Sequence, residues 1–330
     1  MPSPDRESRQ IVVAGASSLL GAELKALLEE SRFAGWEIHL VDEESAAGTL
    51  TEAAGEPAVI QTVDEATFQG ARFVFFTGSP EFTRASLAKA RDAGATVLDL
   101  SGGALAEARG LAWFSFRGVP ARDMPLFVIP SAASTIAGHL LDALGRSGLY
   151  RLSVTFFRPV SDAGRSGIEE LETQTTQLLS FQNTGQPVFN AQIAFSLLNC
   201  YGPSSRQNLA AVRESIRREI AAAAGNDLVQ PSIQVLHAPV FYGCAFSALA
   251  EINSGANQEQ LAEHLKKTGM LVAEDPKAPL GNLTPSGDSK IHVAAPAQDT
   301  AQPGTWWLWG AADNVRLPAA NAVQLAEMLL

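Results

Sequence analysis

A glycine-bounded turn, Gly15-Ala16-Ser17-Ser18-Leu19-Leu20-Gly21, joins a short apolar run to a helical pattern, and this junction constrains the fold more than any other feature. The run before it, Gln10 to Gly15, is short and apolar, as a strand buried on both faces must be. After it, Leu20, Leu24, Leu27 and Leu28 recur at helical spacing within Leu19 to Glu30. Glu37–Val41, Phe73–Phe76 and Ala95–Leu100 read as further strands. Ser79 and Pro80 open a helix that ends before Gly94. Strands alternating with helices imply parallel βαβ units in an α/β, doubly wound sheet.

The rest of the chain reads as α+β. Strands are expected at Leu126–Ile129, Arg151–Val160, Ile233–Val240, Cys244–Ile252, Lys290–Val293 and Thr305–Gly310. Helices are expected over Ser134–Arg146, Glu169–Leu179, Asn208–Ala223 (stopping at Gly225) and from near Pro318 to the end. The Pro- and Gly-rich stretch Asp275–Gly287 reads as loop. The chain's 330 residues are enough for about two domains. We place a Rossmann-type dinucleotide-binding domain at 1–129, a second domain at 130–311 and a helix at 312–330.

A net charge of -11 repels phosphate backbones, so nucleic acids and anionic membranes are poor partners. The first apolar run is too short for a signal peptide, and no run approaches the ~20 residues of a membrane span. Two cysteines, Cys200 and Cys244, form neither a disulfide framework nor a multi-cysteine metal site, so the expected compartment is the cytoplasm. His39, His264 and His292 are isolated, and no metal is expected.

The turn sits where a pyrophosphate would rest on helical N–H groups. Gly15 suits the tight turn and Gly21 the close approach of helix to sheet. Ser18 stands where the usual middle glycine lets backbone approach phosphate, and its side chain narrows that gap. Asp42 follows about 20 residues on, where an acid bonds a ribose hydroxyl. Glu43 and Glu44 beside it oppose a 2′-phosphate, which favours NAD over NADP. The alternative is a turn of this shape that no longer holds a nucleotide.

Longer segments resemble the aspartate-semialdehyde dehydrogenase family over nearly the whole length. Gly15–Gly21 is similar to that family's GATGAVG turn, and Ala93–Ser101 to its AGAxVxDxS strand. Pro130–Ile136, PSAASTI, stands where the family has PNCSTI, and Ser161–Gln174 resembles SGAGxxGxxELxxQ. The tail, with Asp313-Asn314-Val315-Arg316 and Asn321-Ala322-Val323-Gln324, resembles DNLRKGAALNAVQ. The resemblance implies amino-acid biosynthesis and NADP-linked interconversion of an aldehyde and an acyl phosphate, through a cysteine nucleophile, a histidine acid/base and arginines on the substrate. It also implies that the second domain, 130–311, binds substrate and dimerises, with pairing through a sheet surface and hence a homodimer, and that the helix at 312–330 returns to the first domain. The implied cofactor positions are Gly15, Ala16, Ser17, Ser18, Leu19, Leu20, Gly21, Asp42 and Asn314.

The chain departs from that chemistry. Ala133 falls at the nucleophile, His237 at a substrate arginine and Cys244 at the acid/base histidine. Gly102-Gly103-Ala104-Leu105 lacks the phosphate-binding arginine. Gln174 and Glu214 still match an active-site glutamine and a substrate-binding glutamate. This pattern is similar to usg-type relatives that keep the fold without the catalytic cysteine.

Cys244 with His237 is a candidate relocated pair, against the alternative that Cys244 is a buried small hydrophobe. Ser134 is expected to cap its helix. His139 is expected to be structural, and Cys200 is assigned no chemistry. Arg158 and Arg165 are expected to face solvent. Trp307 is expected to pack in one layer, with Trp306 and Trp309 outside a simple alternation. Three readings follow: a family member without the parent catalysis that retains a ligand cleft, a regulatory partner subunit, and an active oxidoreductase with altered groups.

Overall fold

The structure, a computed structural model, describes residues 8–330 without 54–55, 108–111, 122–123, 225–228, 254 and 276. The expected helix stop at Gly225 and Pro276 of the expected loop lie outside them. The chain forms two compact units, Met1–Pro130 with Pro318–Leu330, and Ser131–Leu317. No helix among the described residues is long and apolar enough to cross a membrane.

The first unit contains β1 (Gln10–Ala14), α1 (Leu19–Glu29), β2 (Glu37–Asp42), β3 (Leu50–Ala53), β4 (Glu56–Val59), β5 (Gln61–Thr62), β6 (Phe73–Phe76), α2 (Pro80–Asp92), β7 (Thr96–Asp99) and β8 (Leu126–Val128). Its sheet runs β5-β2-β1-β6-β7-β8, and every pairing is parallel. Ile11, Val13, Phe73 and Phe75 pack with Leu24 and Leu28 of α1, whereas Val12, Ala14, Val74 and Phe76 join Leu87 and Ala90 of α2 in a separate cluster. Burial on both faces is why these strands carry no polar alternation. Ser18 and Ser79 cap the two helices, accepting from the N–H groups of Gly21 and Phe82. The sequence pattern missed the β3–β4 hairpin, which is short and carries no apolar alternation.

The second unit contains α3 (Ala132–Gly145), β9 (Leu149–Arg158), α4 (Gly164–Leu179), α5 (Leu209–Ala224), β10 (Ser232–His237), β11 (Cys244–Ile252), α6 (Gln258–Lys267), β12 (Leu271–Val272), β13 (His292–Val293), β14 (Ala297–Gln298) and β15 (Thr305–Ala312). Its mixed sheet runs β10-β9-β11-β15-β13-β12, with β14 also on β15. One face packs on α3, α5 and α6 through Ile136, Leu140, Ile216, Ile220, Leu261 and Leu265. A last helix, α7 (Arg316–Met328), places Ala319, Ala322, Val323 and Leu325 in the first unit's core with Ile11 and Val13. The expected class therefore holds: a doubly wound α/β sheet, an α+β second part and a returning helix.

Three local expectations are corrected. The cap of α3 is Ser131, not Ser134: Ser134 lies buried inside the first turn, and its N–H meets Ser131 Oγ. β10 stops at His237 rather than Val240, because Pro239 has no N–H for a ladder and Val240 N–H turns back to Ala238 O at 2.8 Å. β15 alternates over Trp306–Gly310, since it pairs residue for residue with β11. Trp306 and Leu308 point inward, and Trp307 and Trp309 outward at 46% and 38% exposure. Phe157 of β9 comes within 5.9 Å of Trp309, ring to ring, so this outer face carries aromatic surface.

Gly21 stands where α1 meets β1: a Cβ there would lie 2.6 Å from Gly15 O and 2.9 Å from Thr77 Oγ1. Gly21→Ala is expected to destabilise the protein by about 1–3 kcal/mol in urea unfolding, as overpacking does. Gly145→Ala, in a helix with nothing within 4 Å of the new Cβ, is expected to be neutral or stabilising by up to about 1 kcal/mol.

Candidate functional site

In the first unit, candidate residues gather at the β1–α1 turn. Gly15 has φ +95°, and a Cβ there would come within 2.1 Å of Gly78 N, so the turn requires glycine at this point. Ser18 Oγ donates to Thr77 O at 2.9 Å and accepts from Gly21 N–H at 2.8 Å, which keeps that side chain turned into the loop. The N–H groups of Leu19 and Leu20, next along the helix, meet no acceptor among the described residues. Asp42 is buried, and its two oxygens accept from Ser17 N–H and Glu43 N–H, each at 2.8 Å. Glu43 in turn accepts from Ser79 Oγ at 2.6 Å. The expected acid thus stands against the turn, and two helix-end donors remain for an anion. These residues fit a dinucleotide's phosphate and ribose. At the stretch where the resemblance expects a phosphate-binding arginine, Asp99 ties a small-residue turn through Ser101 and Ala104.

The second unit's candidates lie across one end of its sheet. His237 is the register partner of Arg158, and Cys244 that of Ala312. Because Ala245 pairs with Phe157, Cys244 follows beside Arg158. His237, Arg158, Cys244 and Ala312 therefore form a row over β10, β9, β11 and β15. Ala133, in the first turn of α3, packs half-buried against the apolar cluster that includes Cys244. Ser131, one residue before α3, donates its N–H and hydroxyl to the buried carboxylate of Glu219, at 2.8 and 2.9 Å. That negative charge at the helix start suits the helix dipole.

His237 is fully buried. Its Nε2 lies 3.4 Å from Ile193 O and its Nδ1 3.3 Å from Tyr201 Oη. A carbonyl only accepts, so we assign the proton to Nε2, and Nδ1 accepts from the Tyr201 hydroxyl. Burial first, with the Arg158 charge adding to it, lowers the pKa of His237 to about 4. Burial also pushes the Cys244 thiol far up, and no hydrogen bond joins Cys244 to His237. The two therefore do not form a thiolate–imidazole pair in this structure, and Cys244 sits as a buried apolar group.

Gln174 is fully buried, and its amide is saturated. Nε2 has three acceptors, Glu170 Oε1, Gly185 O and Ala191 O, at 3.0–3.1 Å for its two hydrogens, and Oε1 accepts from Ile193 N–H at 2.8 Å and Ala194 N–H at 3.2 Å. It holds the loop whose Ile193 carbonyl meets His237. Asn314 accepts from Gly243 N–H at 2.9 Å and donates to Ser161 Oγ and Asp162 Oδ1 at 3.0 and 2.7 Å. Glu214 does not join this group: it is exposed on α5, 2.7 Å from Arg217 and 3.7 Å from Arg213.

Arg165 is exposed as expected, but Arg158 is not solvent-facing. Its side chain is 8% exposed and paired with Asp162 at 3.2 Å. Strand parity carried the signal, because Leu152, Val154, Phe156 and Arg158 share the inward face of β9. Asp162, Tyr201 and Glu219 were also missed, and their roles arise from tertiary contact alone. His139 is buried in α3 with Nδ1 2.8 Å from Thr135 O, and burial lowers its pKa to about 4. Among the described residues, no group of three or more His, Cys, Asp or Glu is placed to hold a metal.

His139 and His237 bind a proton near pH 4 when folded and near 6.5 when unfolded. Their stabilisation is thus fully present above pH 6.5 and is lost as pH falls toward 4, by roughly 1.4 kcal/mol per unit for each. Asp99, whose pKa burial raises, acts in the opposite sense. The readout is therefore a difference: His237→Gln should flatten the pH dependence of urea-unfolding stability between pH 6.5 and 4. Thiol titration should find one reactive cysteine in the native chain, exposed Cys200, and two after denaturation.

The chain is similar to known proteins along nearly its whole length. Residues 10–137 match the family model described as semialdehyde dehydrogenase, NAD binding domain, and residues 140–317 the one described as semialdehyde dehydrogenase, dimerisation domain. A USG-1 protein homolog of Azotobacter vinelandii is 30% identical over 97% of both chains. An aspartate-semialdehyde dehydrogenase of Rickettsia bellii is 25% identical over 97% of each. The structure of a probable aspartate-semialdehyde dehydrogenase from Pseudomonas aeruginosa superposes with a TM-score of 0.87 at 27% identity, covering 98% of both chains.

Proposed function

Since the chain belongs to the semialdehyde dehydrogenase family, we propose that it is a dimeric, nucleotide-binding member that has given up the covalent aldehyde chemistry. The observation that carries this reading is Ala133 in the first turn of α3, where the resemblance expects a nucleophilic cysteine. A methyl group forms no thiohemiacetal. The two other expected reactive groups support the same reading. His237 is held neutral by burial and engaged by Tyr201, and Cys244 is kept protonated. Loss of one member of a catalytic unit removes most of its rate, and here three positions differ.

A nicotinamide nucleotide, when bound, supplies or accepts a hydride. The residues that hold it in this reading are Leu19 and Leu20 through their N–H groups and Asp42 toward a ribose hydroxyl, on the turn that Gly15, Ala16, Ser17, Ser18 and Gly21 shape. Glu43 and Glu44 disfavour a 2′-phosphate. Asn314 and Gln174 act as positioning residues for the loops they bind. The outward face of β9, β11 and β15, with Phe157, Trp307 and Trp309, is the surface that pairs two copies.

In a coupled assay with aspartate semialdehyde, NADP and phosphate, no turnover above background is expected, and robust NADPH formation overturns the reading. Titration followed by nicotinamide fluorescence should show NADH binding at least about tenfold tighter than NADPH, and the reverse order removes the role given to Asp42 and Glu43. Trp307→Glu with Trp309→Glu should shift the chain from dimer to monomer in light scattering.

A further inference from the structure

Glu43 and Ser79 meet across the first unit's sheet although they leave it on opposite sides of β1. β2 and β6 flank β1 with Val41, Ala14 and Phe76 in register, so Asp42, Gly15 and Thr77 come level at the carboxyl end of the sheet. Glu43 follows Asp42 on one side, and Ser79 lies two residues past Thr77 on the other. Strands two apart in a sheet stand roughly 10 Å from each other. Ser79 Oγ nevertheless donates to Glu43 Oε1 at 2.6 Å, the short length of a charge-assisted bond. The bond therefore closes over the end of β1, at the turn that begins with Gly15.

That place is the crevice of a doubly wound sheet. From β1 the sheet grows one way through β2 and β5 and the other way through β6, β7 and β8. The helices α1 and α2 pack on its opposite faces. Ligands of such sheets lie outside the carboxyl ends at this point. Asp42, the acid suited to a ribose hydroxyl, is the residue before Glu43. A dinucleotide that runs from the Leu19 and Leu20 N–H groups to Asp42 has to lay its adenosine half where Glu43 reaches Ser79. Both ends of the bond are anchored. Glu43 donates its N–H to Asp42 Oδ1 at 2.8 Å, and its carbonyl accepts from Ala46 N–H at 2.9 Å. Ser79 Oγ also accepts from Phe82 N–H at 3.0 Å as the cap of α2. The contact itself is superficial, with Glu43 exposed and Ser79 half-buried, so it can open by side-chain rotation alone.

We propose that the Glu43–Ser79 hydrogen bond is a latch across the adenosine half of the nucleotide crevice, released when a dinucleotide binds. This rests on the reading above that the turn holds a nucleotide. It adds a regulation of that same site, whose apparent affinity is reduced by the fraction of molecules that are unlatched.

The test uses the full chain and two variants. Ser79→Gly removes the hydroxyl and is tolerated at a helix cap. Glu43→Asp keeps the charge and the cap and shortens the reach by one methylene, and it carries the test if Ser79→Gly fails to fold. NADH is titrated by nicotinamide fluorescence and ADP by calorimetry. Both should bind about three- to tenfold tighter to the variants than to the wild type, the worth of one hydrogen bond. In the nucleotide-free protein, hydrogen exchange of residues 44–47 should be faster in the variants. Unchanged exchange overturns the latch, as do equal or weaker NADH binding and a gain for NADH without one for ADP. Failure of both ligands to bind any of the three proteins overturns the reading above and the latch with it, whereas equal binding to all three overturns the latch alone.

Discussion

The double pairing of β9, parallel to β10 and antiparallel to β11, fixes where every polar group at the end of the second sheet can stand. A shift of one residue would send Arg158 to the outer face and Phe157 into the core. With the register as it is, a charged, an aromatic and a sulfur-bearing side chain, Arg158, His237 and Cys244, share one inward-facing end. Much of what the unit can do chemically follows from that placement. Burial keeps the imidazole neutral and the thiol protonated, while the guanidinium keeps its charge.

Around this row the protein spends its polar side chains on holding loops. Gln174 has no amide valence left over, and Glu170, its neighbour in the network, also accepts from Val188 N–H. Asn314 ties the strand end at Gly243 to the turn at Ser161 and Asp162. Satisfied buried networks of this kind specify one conformation.

The first unit was largely legible in the sequence because each of its main strands is buried on both faces and each helix has a serine cap at its start, so period and punctuation agree. The second unit was less so. Ser131 and Ser134 are both plausible caps by residue type, and what separates them is Glu219, 88 residues away. α6 is the harder helix to read, although its Asn257–Gln260 capping box is local, because Leu261 and Leu265 are the only large apolar residues in its ten positions. The tryptophans of β15 were misread because three large rings in four residues obscure a simple alternation that the pleat imposes. Residue type alone sets Arg158 on the surface, whereas its spacing from Leu152, Val154 and Phe156 sets it inward. Residue type and spacing disagreed there, and spacing was the better guide.

The return of α7 has a consequence for how the chain matures. Leu325, Ala326 and Leu329 lie more than 300 residues along from Ile11 and Val13 yet sit in the same apolar cluster. A growing polypeptide therefore cannot close that cluster until α7 leaves the ribosome, whereas Ser131–Leu317 is by then already synthesised. The part made first is completed last, and the interval between the two exposes strand-rich apolar surface on the nascent chain.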